Sequence, residues 1–424
     1  MKKILIITYY WPPKGGVGVQ RWLKLSKYLN KKKYQPIIYT SSGGVTPLED
    51  STLINEVPSD IEVLKKNIFE PQKLFSFFTQ QRPNSDILIQ KESGFFQNML
   101  IWLRANLFIP DTRSLWINPS VQFLNQYLRN NPVDVVISTG PPHSMHLIAL
   151  ALKQQNNLKW IADFRDPWTE IEYFENLPLL SSSRSKHKKL EKKVLNTADL
   201  VLSVSESWSN NLIALGAQKT SVLTNGYDPD DYNDNFPNKM ESEFKIGYFG
   251  LYNAGRDHSF FWETLSTLSK NEVDFSQNLQ LLFAGEVHSD FINVLKSFKF
   301  YEKLEYHDYL SHRDSIRNMM QCNLLLVTQA DEKSINGRIP AKLFEYLATK
   351  QPILVIGKKN SDLEKIVSNI SYVWFVDFNN QDLLYETILK IYNLSRLETS
   401  FNDDISYFSR DFQAQELINL IESL

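Results

Sequence analysis

Cysteine is nearly absent from this sequence. Cys322 is the only one in 424 residues, so no disulfide can form within the chain, and a reducing compartment is expected. An excess of one charge is absent too. Lys and Arg number 46 against 48 Asp and Glu, and the net charge of −2 gives no general case for binding nucleic acid. No apolar run reaches the roughly 20 residues that a membrane span needs. The nearest, 95–109, holds Phe96, Met99, Ile101, Trp102 and Phe108 but is broken by Gln97, Asn98, Arg104 and Asn106. Its length favours a buried helix, and its aromatic content leaves an interfacial helix open. Lys2 and Lys3 precede an apolar run that is too short for a secretory signal and lacks a small-residue cleavage site, so it reads as a first strand. Clustered His, Cys or acidic ligands with metal-site spacing are missing. Asp228-Pro229-Asp230 is an Asp-x-Asp triplet, and its Pro-rich surroundings make it a solvated turn.

What is present is an ordinary globular composition, 42% hydrophobic and 22% charged, on a chain long enough for two or more domains. Short apolar runs alternate with helical patterns. Residues 4–8, 36–40, 133–138, 160–162, 200–204 and 221–223 read as strands. Helical stretches fall between them: one through Leu29 with Trp22, Leu25 and Leu29 on a single stripe, then 144–153 and 205–215. Residues 228–243, rich in Asp, Asn and Pro, break the rhythm as a linker. It restarts with strands at 245–249, 279–284, 304–306, 324–328 and 353–356. Helices lie near 260, 291–298, 313–320, 382–393 and 412–424. Such alternation implies an α/β chain of two halves, each a parallel sheet flanked by helices.

One stretch organises the second half. Asn336-Gly337-Arg338-Ile339-Pro340-Ala341-Lys342 leads into Leu343, Phe344, Glu345, Tyr346 and Leu347, and Gln351-Pro352 precedes the apolar run 353–357. Pro340 suits the first helical position, and Leu343, Phe344 and Leu347 give the helix one apolar face. Its N-terminus then points into a loop carrying Arg338 and Lys342, and a helix start beside cations attracts anions. Glu345 stands one turn on from Lys342. A carboxylate there can accept hydrogen bonds from sugar hydroxyls, or can pair with Lys342 on a surface. Both readings stand on these residues.

Other loops follow strands, where open α/β sheets bind ligands. Gly15-Gly16-Val17-Gly18 lets backbone approach a phosphate closely, or makes a plain tight turn. Arg21 stands where a dinucleotide fingerprint needs glycine. The loop from Gly250 holds Arg256 as its only cation, and the loop after 138 holds His143. Asp163-Phe164-Arg165-Asp166 offers Asp163, Arg165 and Asp166 by position, or an internal Arg–Asp brace. Residues 183–193, with Arg184, Lys186, Lys188, Lys189, Lys192 and Lys193, open a basic helix. It reads as a solvated face or as a surface drawn to anionic lipid.

The run GRIPAKLFEYLATKQPILVIG, Gly337 to Gly357, resembles the donor-binding signature of retaining glycosyltransferase family 4. Gly15-Gly16, Gly247-Tyr248-Phe249-Gly250 and Leu223-Thr224-Asn225-Gly226-Tyr227-Asp228 extend the resemblance. The loops after residues 138 and 163 are similar to a bacterial surface-polysaccharide branch. The family implies the GT-B fold, two doubly wound Rossmann-like domains facing a central cleft. Residues 1–235, rejoined by 405–424, take the acceptor side, and 236–404 take the donor. It implies a metal-independent, hexosyltransferase-type enzyme with no cofactor beyond a nucleotide-diphosphate sugar as co-substrate. Glu345 falls on the donor ribose, with Gly15, Gly16 and Arg338 beside the donor. Arg256 and Lys342 fall on the leaving diphosphate. Asp163, Arg165 and Asp166 remain catalytic candidates, and His143 an acceptor-side one. The implied setting is cytoplasmic, peripheral to the inner membrane face, with a lipid-linked saccharide acceptor and no nucleic acid.

The chain departs from the family twice. Many members carry a second Glu eight residues before Glu345, where this chain has Gly337. Some place a His after the strand ending near Asp163, where this chain has none. These departures keep two alternatives open: a sugar-nucleotide epimerase of similar fold, and a non-catalytic sugar-nucleotide-binding protein.

Overall fold

The computed structural model of the chain describes residues 1–32, 34–46, 48–70, 95–233, 243–378, 380–397 and 400–424. It divides into two compact units, Met1–Thr224 with Arg410–Leu424, and Asn225–Ser409. The division falls at Thr224, earlier than the expected 235, because the next residues are tied into the second unit. Tyr227 N donates to Phe408 O at 3.1 Å, and Tyr232 Oη donates to Glu345 O at 3.0 Å. Residues 234–242 of the expected linker lie outside the described residues. Asp228 caps the short helix Pro229–Tyr232 through a bond from Asp230 N at 3.1 Å, which is turn chemistry.

The first unit holds strands β1 (Lys2–Ile7), β2 (Tyr34–Ser42), β3 (Glu62–Asn67), β4 (Val135–Gly140), β5 (Lys159–Phe164), β6 (Leu200–Ser203) and β7 (Thr220–Val222). They form one sheet in the order β3-β2-β1-β4-β5-β6-β7, with every pairing parallel. Ile4 lies opposite Pro36 on one side and Val135 on the other. Ile4 and Ile6 enter one core layer, Leu5 and Ile7 the other, so the strand is apolar throughout. Helix Val17–Lys31 shares the first layer with Ala414, Leu417, Ile418 and Ile421 of the C-terminal helix Arg410–Glu422. The strand β3 escaped sequence reading because it is a polar edge, with Lys65-Lys66-Asn67 replacing an apolar run.

The second unit holds β8 (Phe244–Phe249), β9 (Leu279–Ala284), β10 (Leu304–His307), β11 (Leu324–Thr328), β12 (Ile353–Gly357) and β13 (Val373–Asp377). Their order is β10-β9-β8-β11-β12-β13, again wholly parallel. Leu354 and Ile356 face one core layer, and Ile353 and Val355 the other.

Two local expectations change. The helix of the signature stretch begins at Lys342, not Pro340, because Ile335–Gly337 forms a tight turn first. Pro340 O accepts Leu343 N at 3.0 Å, so proline sits just ahead of the helix it was expected to open. The helix Phe95–Leu107 is not buried: Met99, Trp102 and Leu107 are 40%, 39% and 64% exposed. Asn106 lays it along the surface, its Nδ2 donating to Pro178 O at 2.9 Å and its Oδ1 accepting from Leu180 N at 2.8 Å. Its apolar side chains lie on more of its circumference than one packed face can cover.

At the centre of the first unit Arg21 and Asp163 form a fully buried bidentate pair, Nη2–Oδ1 3.0 Å and Nε–Oδ2 3.2 Å. Trp22 Nε1 and Thr139 Oγ1 also donate to Oδ2, at 2.8 and 2.9 Å. Arg21 also donates to Leu223 O and Thr224 O, at 3.0 and 2.7 Å, and Gln413 Nε2 reaches Thr224 O from the C-terminal helix. Burial alone pushes the Asp163 carboxyl up, but the Arg21 charge and these bonds hold it below the usual carboxylate range. The pair joins helix Val17–Lys31, β4, β5 and the chain after β7. Arg21→Leu, which strands a buried carboxylate, should cost about 3–5 kcal/mol of stability. A urea midpoint equivalent to a loss below about 1 kcal/mol, the scale of an exposed pair, would show the brace to be dispensable.

Candidate active site

Both sheets reverse direction beside their first strand. The connections from β1 run to β2 on one side and β4 lies on the other; β8 stands likewise between β9 and β11. Ligand crevices in such sheets open beyond the strand C-termini at the reversal.

In the first unit this edge gathers the loop after β1, the loop after β4 and Arg165 after β5. Gly15 N donates to Leu48 O at 3.0 Å, and Gly16, at φ 93°, starts helix Val17–Lys31 with neither a side-chain cap nor an acidic residue in its first turn. Gly18 lies against Arg165: a Cβ there would be 2.5 Å from Nη1, so a larger residue would make the guanidinium shift. Arg165 also donates to Pro141 O, and its Nε is buried without a hydrogen-bond partner among the described residues. Burial pulls its guanidinium pKa down, while Asp163 and Asp166 pull it up. Asp166 stands half-buried beside it. Asp163, by contrast, is spent on Arg21 and Trp22 and is fully buried, so it braces the fold and is withdrawn from the catalytic candidates. The brace that the sequence allowed within this loop is made instead with Arg21, one turn into a distant helix.

His143 lies beneath this edge. Its ring stacks on Trp168 at 4.8 Å with planes 3° apart, and both ring nitrogens are buried without partners among the described residues. His146 stacks on Phe164 at 4.4 Å and exchanges a 2.8 Å hydrogen bond with Ser138 through Nδ1. His187 accepts Trp168 Nε1 at 3.0 Å. Burial lowers all three. His143 falls well below its ordinary value, His146 to about 3 and His187 to about 4.

In the second unit the edge gathers Arg256, Lys342 and Glu345. Lys342 Nζ lies buried 3.4 Å above the centre of the Tyr248 ring, with no hydrogen-bond partner among the described residues. Burial and then the Arg256 charge hold its ammonium pKa well below the ordinary value, and Glu345 opposes them. Gly250, at φ 97°, lies beside it, where a Cβ would make ordinary contact at 3.6 Å from Nζ. Arg256 Nη1 donates to Leu251 O at 2.8 Å. Asp257, next to it, anchors the loop to His288 Nε2 at 2.6 Å and Tyr252 Oη at 3.1 Å. Arg338 Nε lies 3.7 Å from Glu332 Oε2. Gly337, where the family resemblance leads one to expect a Glu, is buried, and the Glu332 carboxylate reaches Arg338 in this loop.

Glu345 is partly exposed, with His312 Nε2 3.8 Å from Oε1 and 3.6 Å from Asp231 Oδ2. The simple surface pair with Lys342 is therefore not what forms: Lys342 turns inward, and His312 and Asp231 share the Glu345 side. Sequence reading missed both, since they lie on a turn and a helix far apart in the chain. It also missed Tyr248 as the seat of Lys342, although the residue stood in a quoted strand end. Among the described residues no three His, Cys, Asp or Glu are placed to hold a metal ion, and no helix is long and apolar enough to cross a membrane.

Solved structures share this architecture. Sucrose-phosphate synthase from Thermosynechococcus elongatus superposes with a TM-score of 0.64 at 12% identity, covering 100% of this chain and 99% of its own. OtsA, in its apo structure, gives 0.65 at 12%, covering 100% of both chains. WaaG, a glycosyltransferase involved in lipopolysaccharide biosynthesis, gives 0.56 at 13%, covering 99% and 95%. At such identities the likeness defines the fold, the GT-B arrangement of glycosyltransferases. No curated protein sequence gives a significant match. Residues 15–231, just over half the chain, match the family described as Glycosyltransferase Family 4, and the chain belongs to that family.

The buried histidines give the first unit an acid-sensitive core. They stay neutral in the folded chain, whereas the unfolded chain protonates them near their ordinary value of 6.5. Unfolding then takes up protons, so stability is intact above pH 6.5 and falls as the pH drops toward about 4. Asp163 adds to the loss at lower pH, and Glu191, raised by burial, offsets part of it. Calorimetric scans should show a melting temperature that declines through this window; a flat profile from pH 7 to 4.5 would contradict the neutral-histidine core.

Proposed function

We propose that the chain moves a hexosyl group from a nucleotide-diphosphate sugar to a hydroxyl acceptor, with retention of configuration and without a bound metal. The observation that carries this reading is Lys342, a buried ammonium beside the Arg256 cation, whose charge is unfavourable until an anion joins it. A diphosphate supplies that anion. As the bond from the anomeric carbon to the phosphate oxygen breaks, positive charge grows on the sugar and negative charge on the leaving diphosphate. In this reading Lys342, Arg256 and Arg338 of the second unit stabilise the latter. The acceptor oxygen bonds to the anomeric carbon on the side the diphosphate leaves, and its proton passes to the phosphate oxygen that has gained the electron pair. Glu345 accepts hydrogen bonds from the ribose hydroxyls.

In the first unit Gly15 and Gly16 offer backbone to the donor, Arg165 and Asp166 act near the transferred sugar, and His143 backs the acceptor side. The acceptor we infer is a lipid-linked saccharide in cell-surface polysaccharide or lipopolysaccharide synthesis, met at the cytoplasmic face of the inner membrane. Family membership and the involvement of WaaG in lipopolysaccharide biosynthesis support the pathway. The surface of the first unit supports the membrane. Helix Ser181–Thr197 exposes Lys186, Lys188, Lys189, Lys192 and Lys193, none meeting a carboxylate among the described residues. Asn106 joins its start to the half-exposed helix Phe95–Leu107.

Glu345→Ala should leave folding intact, because Leu343, Phe344 and Leu347 hold the helix. Donor affinity should fall by about one to a few powers of ten, since charged hydrogen bonds are worth roughly 1.5–3 kcal/mol each. Titration calorimetry across a panel of nucleotide sugars measures this, and unchanged affinity would remove Glu345 from the site. The same donor, incubated with wild-type chain, should turn over equally with and without EDTA. Activity lost to EDTA and restored by Mn²⁺ would refute metal independence; epimerised donor, or no turnover, would favour the two alternatives.

The lysine face should bind vesicles containing phosphatidylglycerol at low salt, at roughly 1 kcal/mol per engaged lysine. Reversing Lys188, Lys189, Lys192 and Lys193 to Glu should abolish co-sedimentation. Equal recovery of wild type and variant in the pellet would refute the membrane reading.

A further inference from the structure

Gln329 directly follows β11 and is buried. Its backbone N continues the pairing with β12, donating to Ile356 O at 3.0 Å. Its side chain then works in two directions. Nε2 donates to Arg338 O at 2.6 Å and more weakly to Ile335 O at 3.5 Å, while Oε1 accepts from Lys358 N at 3.1 Å. Its own carbonyl accepts from His258 Nε2 at 2.9 Å. His258 comes two residues after Arg256 and opens the helix Ser259–Asn271, its ring 5.0 Å from that of Phe378. Three segments thus meet at one residue: the Arg256 loop, the Arg338 loop and the turn after β12.

Position 357 is shaped for this meeting. A Cβ on Gly357 would lie 2.7 Å from Gln329 Oε1, so any larger residue would push the amide off its bonds. An amide is also the side chain the place demands. It presents a donor toward the Arg338 carbonyl and an acceptor toward the Lys358 amide at once; a carboxylate lacks the donor and an aliphatic chain lacks both.

We propose that Gln329, acting with His258, is a positioning residue that holds the two loop cations, Arg256 and Arg338, in register for a nucleoside diphosphate. The role rests on the donor-site reading of the second unit. Gln329 touches the backbone of these loops and acts through them. A displacement of about 1 Å in such groups costs as much as a hundredfold in rate.

The test uses the full chain with two independent perturbations, Gln329→Leu, which removes both side-chain bonds, and Gly357→Ala, which displaces the amide and keeps it. Ile388→Ala, in the core of the same unit, controls for plain destabilisation. UDP, GDP and ADP are titrated into each by calorimetry, and amide exchange is followed in the unliganded chains. Whichever diphosphate binds the wild type should bind both site variants about tenfold or more weakly. Exchange at 256–258 and 335–338 should accelerate in both, while Ile388→Ala lowers the melting temperature and keeps wild-type affinity. Wild-type exchange rates or wild-type affinity in Gln329→Leu overturn the proposal, as does equal weakening in Ile388→Ala. If none of the three diphosphates binds the wild type, the donor reading and the diphosphate role fall together, and the exchange rates still report separately whether the amide holds the loops.

Discussion

In each unit the opening strand lies inside the sheet, and the chain builds outward from it in both directions. Helices and apolar layers cover the two faces, so strands such as β1 and β12 carry apolar residues on both sides. Polar chemistry is left to the C-terminal edge, and at the reversal the loops on either side lead away from one another. Gly15–Gly18, His143 and Arg165 collect there in the first unit. Arg256, Gln329, Arg338 and Lys342 collect there in the second. The same constraint that buries the strands decides where a ligand can enter.

Charge inside the two units is handled in opposite ways. Asp163 accepts from Arg21, Trp22 and Thr139, and Arg21 donates in turn to two carbonyls. That arrangement is complete and belongs to architecture. Lys342 has an aromatic ring beneath it and a second cation near it, which leaves its charge poorly compensated. Buried charge is costly unless paired, so an incomplete arrangement of this kind points outward to a partner. The contrast separates two residues that sequence position alone had put in one class of catalytic candidates.

The loops that carry Arg256 and Arg338 are anchored chiefly by the residues beside these cations. Asp257 fixes the Arg256 loop through Tyr252, Trp262 and His288. Gln329 fixes the Arg338 loop and meets His258 from the other. The guanidinium groups therefore sit on backbone held by the Asp257 carboxylate and the Gln329 amide, which suits a site that must meet a charge without collapsing onto it.

The sequence by itself determined the alternation of strand and helix, the two-sheet class and the family, because apolar periodicity and a signature run are local properties. The central strands were legible as apolar runs, and so were the edge strands β7 and β10; the edge strand β3 was not, since Lys65-Lys66-Asn67 break its run, while β13 was passed over although Val373-Trp374-Phe375-Val376 is apolar. Glu345, Lys342, Arg256 and Arg338 were nominated by motif. Which of the nominees face a crevice was decided only by tertiary structure. Asp163 turned to Arg21, Lys342 turned to Tyr248, Glu345 came beside His312 and Asp231, and helix Phe95–Leu107 lay on the surface. Each outcome depends on what stands across from a residue after strands distant in the chain are laid side by side, and spacing along one segment carries no record of that neighbour.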